Sequence, residues 1–174
     1  MKITRIASLD DADELAALVR TDRDFLAAFE PVRDEGYYTA AGQRTILAHN
    51  LEDHARGGMV PMVITQDGRV AGRINLNTIV RGAAQSAHIG YWLGQAYHGQ
   101  GLASTALAET IALAFTELDL HRLEAGTMLH NTASQRVLTR NGFKPFAVSP
   151  RYLKIAGQWR DHILFHLFNP AHPD

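Results

Sequence analysis

Short apolar runs and longer amphipathic segments alternate along the chain, and this pattern predicts strands and helices in turn. Residues 3–7 predict a first strand. The apolar positions within residues 15–19 give the next segment a helical face, and Ser8 before it is a suitable N-cap. Residues 38–52 predict a second helix that ends before Gly57. The first third of the chain is therefore predicted to contain one strand and two helices.

A hairpin is predicted next, over residues 59–65 and 69–80. Asp67-Gly68 between these two runs suits the positive φ angles of a tight hairpin turn. Because side chains alternate along a strand, the second run has an apolar face with Ile74 and Leu76. Its other face is polar and carries Arg73, Asn75 and Asn77.

The second half of the chain continues the alternation, with further strands predicted at residues 87–93, 121–128, 151–155 and 159–168. A long helix over residues 103–118 carries an apolar stripe that belongs to the core. A short helix starts after Asn131, ends at Gly142, and turns three apolar residues inward, Ala133, Val137 and Leu138. Strands dominate and helices occupy two crossovers, which predicts an α/β fold with a mixed sheet in one domain of residues 1–174.

Composition limits the possible functions. The 174 residues are 46% hydrophobic and 20% charged with a net charge of −1, which argues against a general nucleic-acid or membrane-surface binder. The absence of cysteine excludes a disulfide framework, a thiolate metal site and a cysteine nucleophile. No metal site is predicted, because the nine histidines are scattered. Neither a signal-peptide pattern nor an apolar run that spans a bilayer is present, and a cytoplasmic protein is expected.

The most informative stretch is residues 89–104, where an apolar strand leads through a loop with two glycines into a helix. Gly99 and Gly101 let the backbone approach a ligand closely, and the free N–H groups at the helix start favour an anion such as a diphosphate. A simple tight turn explains the same spacing. The dinucleotide motif and the P-loop are excluded, because their third glycine and their Gly-Lys-Ser/Thr end are both missing.

Residues 25–35 mix aromatic and charged residues with a proline. This pattern fits a connection between two helices with a solvated charged face, and it also fits a loop that contacts a substrate. Phe29, Glu30 and Arg33 from this segment, together with Asn75, are the candidate substrate-binding residues.

The loop resembles that of a known family. Residues 97–103 (YHGQGLA) are similar to the coenzyme A loop of the GNAT acyltransferase superfamily, Gln/Arg-x-x-Gly-x-Gly/Ala. Gly101 and Ala103 occupy its last two defined places, and His98 replaces the Gln or Arg of the first. The short helix, with Asn131 and Ser134 near its start, resembles that of the RimJ/RimL ribosomal-protein N-terminal acetyltransferases. Three further segments resemble the RimJ branch, namely residues 29–35, 80–82 and 157–162.

This resemblance implies a sheet whose fourth and fifth strands splay apart to admit acetyl-CoA as the cosubstrate. It assigns to the coenzyme Tyr91, Trp92, Leu93, His98, Gly99, Gln100, Gly101, Leu102, Ala103, Ser104, Asn131 and Ser134. The backbone N–H near Leu93 would bind the oxyanion that forms when an amine attacks the thioester. Capping of a helix end explains Asn131 and Ser134 equally well without any ligand.

The acid and the base of the reaction are less defined. Many family members carry a tyrosine on the short helix to protonate the leaving thiolate, but Leu138 stands at that place, so the role falls to Ser134 or to solvent. His88 stands where many relatives have a carboxylate, and it either accepts the proton of the amine through water or is a half-exposed strand histidine without a role. Other candidate bases are Glu30, Asp161 and His162, and proximity alone can also drive the reaction.

The resemblance thus implies an N-acetyltransferase acting on the N-terminal α-amine of a protein, since an α-amine is more often neutral at pH 7 than a lysine. One alternative acceptor is a small-molecule amine, and Glu30, Asp34 and Glu35 would suit a cationic acceptor of either kind. A second alternative is a non-catalytic acyl-CoA-binding regulatory module. The expected partners are acetyl-CoA and the acceptor amine, without nucleic acid or membrane, and a homodimer is left open.

Overall fold

The structure is a computed structural model that describes residues 2–172. Within this part of the chain seven strands form a sheet in the order β1-β2-β3-β4-β5-β7-β6. The strands are β1 (Thr4–Ile6), β2 (Val60–Gln66), β3 (Arg69–Val80), β4 (Ser86–Leu93), β5 (Arg122–Met128), β6 (Lys144–Ile155) and β7 (Gln158–Phe168). Neighbouring strands pair antiparallel except β4 and β5, which are parallel because a helical crossover connects them.

Helices cover both faces of the sheet, namely α1 (Ala12–Thr21), α2 (Arg23–Ala27), α3 (Ala40–Ala55), α4 (Leu102–Ala112) and α5 (Thr132–Arg140). On one face α4 and α5 pack over a large apolar cluster that includes the fully buried Ile74, Leu107 and Leu138. On the other face α1 and α3 enclose a smaller cluster around Leu15 and Leu47. In the described part of the chain, no helix is both long and apolar enough to cross a membrane.

β4 and β5 are paired only over their first residues. The last pair joins His88 to Glu124, and the described chain shows no further pairing between the two strands. β4 nevertheless continues to Leu93 alongside β3, and β5 continues to Met128 alongside β7. The two strands therefore diverge and leave a gap in the sheet. This confirms the predicted α/β fold with splayed fourth and fifth strands.

The backbone of β4 directs polar groups into this gap. The N–H of Gly94 donates to the carbonyl of Ala71 at 2.9 Å, so the adjacent pair of Gly72 and Leu93 is a non-hydrogen-bonded pair of the antiparallel ladder. The N–H groups of Leu93 and, two residues earlier, of Tyr91 therefore point away from β3 and toward the gap.

Most of the predicted elements are present. The hairpin between β2 and β3 turns at Asp67 and Gly68, whose φ angles of 51° and 80° match the predicted turn. Gly142 has a φ of 86° and ends α5 as predicted. The apolar stripe of residues 103–118 lies in or against the core, although the last part of that segment, Leu113–Glu117, is a π-helix.

Three details differ from the prediction. The second long helix starts at Ala40 and not at residue 38, because Glu35–Tyr38 forms a separate 3₁₀ turn. β6 starts at Lys144, well before the predicted residue 151, since two register shifts interrupt the alternation on which a strand prediction depends. Ala133 is exposed, because the first turn of α5 directs Asn131 and Ser134 inward instead.

The edge strand β1 is held by a helix as well as by β2. The carboxylate of Glu109 on α4 accepts from the backbone N–H groups of Ile3 and Thr4 at 2.9 and 2.8 Å. It also accepts from the hydroxyl of Thr4 at 2.6 Å. One carboxylate therefore satisfies three donors at the edge of the sheet, a contact between residues more than one hundred positions apart.

Candidate active site

A cavity of about 440 Å³ lies where β4 and β5 separate. Its walls come from the diverging parts of both strands, from β3, from α5 and from the segment between α2 and α3. The predicted site residues that line it are Phe29, Glu30, Arg33, Asn75, Tyr91, Trp92, Asn131 and Ser134. The structure thus brings the whole candidate substrate-binding set together with part of the candidate coenzyme-binding set.

Two hydroxyl groups meet on the side of the cavity that α5 covers. Tyr91 Oη and Ser134 Oγ are hydrogen-bonded at 2.8 Å, and the phenol lies 3.3 Å from the Ser134 carbonyl, to which it can also donate. Burial raises the pKa of Tyr91 to about 12, so the phenol keeps its proton at neutral pH. No sequence pattern pairs a strand tyrosine with a helix serine 43 positions later, and this contact emerges only from the fold.

Asn131 combines the two roles considered for it. Its Oδ1 accepts from the backbone N–H of Ser134 at 3.2 Å, which is the local N-cap of α5. Asn131 also lines the cavity, so one residue both caps α5 and forms part of the cavity wall.

The loop after β4 offers free backbone N–H groups. Gly99 and Gly101 have φ angles of 75° and 80°, in the left-handed region that favours glycine. An added Cβ at either position would meet no atom of residues 2–172 within 4 Å, so the positive φ angle and not crowding by these residues favours glycine there. The first backbone bond of α4 runs from Thr105 to the carbonyl of Gly101 at 3.0 Å. The N–H groups of residues 102–104 therefore have no helical acceptor and suit an anion.

The side chains of this loop mainly hold the loop in place. The Nε2–H of His98 donates to the carbonyl of Leu93 at 3.1 Å, and its ring packs edge-on against Phe25. Gln100 donates to the carbonyl of Ala96. The hydroxyl of Ser104 accepts from the Asn141 side chain at 3.0 Å. None of residues 98–104, nor Leu93, lines the cavity itself.

A carboxylate enters the cavity from the segment after α2. Glu30 Oε2 lies 3.6 Å from Arg33 Nε and accepts from the hydroxyl of Tyr37 at 3.4 Å. Burial raises the pKa of Glu30 in spite of these partners, and burial together with Glu30 raises the pKa of Tyr37 to about 12. The Arg33 guanidinium lies over the Tyr37 ring at 4.5 Å. Part of residues 25–35, between Leu26 and Arg33, thus forms a cavity wall, which favours the substrate-contacting interpretation.

Of the three acidic residues considered for a cationic acceptor, only Glu30 lines the cavity. The carboxylate of Asp34 accepts from the backbone N–H of Tyr37 at 3.0 Å and caps the 3₁₀ turn. Glu35 is 79% exposed and pairs with Arg23 on the surface. Local structure uses these two carboxylates, so they contribute little to a cationic acceptor.

Several cavity residues were outside the predicted site, among them Arg73, Gly90, Gly126 and Tyr37. Arg73 is 7% exposed, and within residues 2–172 its Nε has no hydrogen-bond partner. The alternation along β3, which places Arg73 on the same face as Asn75, was the signal that could have found it. The two glycines lie on opposite sides of the gap, on β4 and β5.

The candidate bases divide between the cavity and its surroundings. His162 and Glu30 line the cavity. His88 does not, and its Nε2 lies 3.5 Å from Glu124 Oε2. Asp161 accepts from the backbone N–H of Arg151 in the β6–β7 hairpin. Across the described chain, no cluster of three or more histidine, aspartate or glutamate residues is arranged to hold a metal ion.

The family model of the acetyltransferase (GNAT) domain matches residues 3–144, which include both diverging strands, the glycine loop and all of α5. The chain belongs to the GNAT acetyltransferase family. It is 37% identical over 168 residues to the probable N-acetyltransferase YjcK of Bacillus subtilis, covering 95% of this chain and 93% of that protein. It is 34% identical to the [ribosomal protein uS5]-alanine N-acetyltransferase of Escherichia coli, over 97% of this chain and 88% of that protein.

A solved structure agrees with these relatives. RimJ of Mycobacterium smegmatis, in complex with CoA-disulfide, superimposes with a TM-score of 0.93 at 32% identity, over 98% of this chain and 83% of that one. This GNAT protein is thus an N-acetyltransferase of the RimJ/RimL type, as the motifs predicted.

Proposed function

We propose that this GNAT enzyme transfers the acetyl group of acetyl-CoA to the N-terminal α-amine of a ribosomal protein. The observation that carries the proposal is the gap beside β4: its cavity contains Ser134 and Glu30, and β4 leads directly into the glycine loop with its free N–H groups. The relatives named for ribosomal-protein acetylation support the acceptor. Such an acceptor would be met in the cytoplasm.

The residues present fit acetyl-CoA. The N–H groups at Gly99, Gly101 and residues 102–104 would bind the diphosphate, because glycine φ angles and an unpaired helix start expose them to an anion. The N–H groups of Tyr91 and Leu93 point into the gap and would bind the amide and thioester oxygens of the pantetheine arm. Trp92, Asn131 and Ser134 complete the wall of this path, while His98 and Gln100 hold the loop.

Few protein groups are placed to take part in the acetyl transfer. Acetyl-CoA supplies the acetyl group as an activated thioester. The N–H of Leu93 would stabilise negative charge on the thioester oxygen. Ser134 would protonate the departing thiolate, the phenol of Tyr91, which is still protonated at neutral pH, would return a proton to Ser134, and Tyr91 would regain its own proton from solvent in the cavity.

The amine itself needs little help to lose its proton. An α-amine has a pKa of about 7.7–8.0, so a useful fraction is neutral at pH 7–8 without a dedicated base. Phe29, Glu30, Arg33 and Asn75 would hold the acceptor, and Glu30 and His162 are the carboxylate and imidazole best placed to accept a proton. His88 would have to act through water, because its ring lies outside the cavity.

Release of free thiol from acetyl-CoA tests the proposal directly. The purified protein is assayed with peptides that match ribosomal-protein N-termini, with the same peptides blocked by α-acetylation, and with a panel of small amines. We expect turnover with free N-termini and none with the blocked peptides, and mass spectrometry should place the acetyl group on the α-nitrogen. Turnover with small amines alone would refute the protein acceptor, and failure to bind acetyl-CoA would refute the cosubstrate.

A further inference from the structure

One buried cation in the cavity, Arg73, forms no ion pair within residues 2–172. Arg73 projects from β3 on the face opposite Ile74 and lines the cavity while only 7% exposed. Its Nε is buried without a hydrogen-bond acceptor in residues 2–172, and none of the ion pairs in that range includes it. A buried guanidinium without an acceptor is destabilising. A polar group from outside the folded chain is therefore the natural partner.

Two polar residues of the same cavity, Glu30 and Asn75, are already engaged. Glu30 accepts from Tyr37 and lies beside Arg33, and the side-chain Oδ1 of Asn75 accepts from the backbone N–H of Met62 at 3.2 Å. Burial lowers the pKa of Arg73, against the opposing effects of Tyr37 and Glu30, but an arginine stays charged in proteins. Two guanidinium groups thus face one carboxylate at this end of the cavity, and the excess positive charge favours an oxygen acceptor.

We propose that Arg73 binds an oxygen of the acceptor molecule, on the carbon next to the one that carries the reacting amine. An N-terminal residue has such an oxygen in its first peptide carbonyl, and a free amino acid has it in its carboxylate. The guanidinium carries five N–H donors in a planar fork that fits either oxygen. The inference rests on the proposed function, because it places the acceptor amine in this cavity beside Ser134.

This contact would define the class of acceptor. An α-amino acyl group satisfies both the amine site and Arg73, whereas an alkylamine or a polyamine leaves the guanidinium buried and unpaired. Arg73 is then the residue that selects α-amines of amino acids and peptides over simple amines, without taking part in the transfer itself.

Three matched acceptors test the inference. They are a peptide that starts with alanine, free alanine, and isopropylamine, in which a methyl group replaces the carboxylate of alanine. The kcat/KM of each acceptor is compared between wild type and Arg73→Met, so that differences in amine pKa cancel. Arg73→Lys keeps the positive charge but lacks the planar set of N–H donors of a guanidinium. Arg44→Met removes an exposed guanidinium from α3 and is the control for the loss of one positive charge.

We expect Arg73→Met to lower kcat/KM for the peptide about 10- to 100-fold, the factor that follows from losing one hydrogen bond of a charged donor. The kcat/KM for isopropylamine should change less than about twofold in Arg73→Met. Arg73→Lys should recover part of the lost kcat/KM for the peptide, and Arg44→Met should have the wild-type value. A loss with the peptide alone assigns the carbonyl as the ligand, and a loss with free alanine alone assigns the carboxylate. An equal loss with all acceptors, or no loss with any, overturns the inference while leaving the proposed function intact.

The test does not depend on turnover. Arg73→Met removes a buried unpaired charge and keeps an apolar chain of similar length, so the variant should fold, which a thermal melt verifies. Calorimetric titration of the CoA-saturated protein with the peptide gives the same comparison, and equal affinity of wild type and Arg73→Met overturns the inference. Wild-type turnover of isopropylamine without peptide or alanine would overturn the proposed function as well.

Discussion

The hydroxyl pair of Tyr91 and Ser134 gives the sharpest prediction about the chemistry. If the phenol acts through Ser134, removing it by Tyr91→Phe breaks one hydrogen bond of 2.8 Å. A neutral hydrogen bond contributes about 0.5–1.5 kcal/mol, and each 1.36 kcal/mol in the barrier is a tenfold change in rate. We therefore expect kcat to fall about 2- to 12-fold. Ser134→Ala removes the acid itself and should cost about 100-fold in kcat, the lower end of general acid catalysis.

The double variant decides whether the two groups act together. With Ser134 absent, the phenol has nothing to pass its proton to, so Tyr91→Phe should cause no further loss and the two effects should not add. Steady-state thiol release with acetyl-CoA and an accepted peptide measures kcat, and calorimetry measures acetyl-CoA affinity, which should stay within about threefold. Tyr97→Phe, outside the cavity, is the control for loss of a phenol. Additive effects in the double variant would refute the relay and leave Tyr91 as a wall residue.

Three further predictions concern the loop, the buried carboxylate and the edge strand. Gly101→Ala places a side chain on a backbone with a φ of 80°, which costs about 1–2 kcal/mol. The variant should bind acetyl-CoA about tenfold or more weakly in calorimetry, and an unchanged affinity would show that the loop is not part of the site. Glu30 has a pKa raised by burial, so the folded state holds its proton more tightly than the unfolded state, and stability is lost as pH rises above the ordinary glutamate range. Glu30→Gln should therefore raise Tm at pH 7, with a difference that shrinks as pH falls toward the ordinary glutamate value of about 4.5 and is gone below it; a constant difference across pH would contradict this origin. Glu109→Ala leaves the N–H groups of Ile3 and Thr4 without their acceptor and should lower the free energy of unfolding by about 1.5–3 kcal/mol in a urea titration, with kcat unchanged.

The fold was predictable because its cues are local and agree with one another. Asp67-Gly68 specifies a turn by its own backbone preferences, and Gly142 ends a helix for the same reason. The alternation of apolar and polar residues along β3 is enough to separate Ile74 from Arg73 and Asn75. Elements whose pattern is broken were less predictable, and β6 was recognised only where its alternation is regular.

The site was only partly predictable, because its contacts join distant segments. The motif in the glycine loop carries its own signal, but the pairing of Tyr91 with Ser134 depends on how α5 crosses β4. The positions of the acidic residues between 30 and 35 were not predictable for the same reason: sequence proximity does not say that Asp34 caps a turn while Glu30 enters a cavity. Arg73 carries no motif, and only the three-dimensional structure shows that its buried Nε finds no acceptor among residues 2–172.

Because β4 diverges from β5, coenzyme binding in the gap also affects the stability of the whole chain. Without a ligand, the amides of Tyr91 and Leu93 lack a neighbouring strand, and we expect them to exchange with deuterated solvent faster than the β3-bonded amide of Trp92. A coenzyme seated in the gap would slow that exchange and, at a concentration of one hundred times its Kd, stabilise the native state by about 2.7 kcal/mol. The abundance of such a protein would then follow the supply of its own cosubstrate.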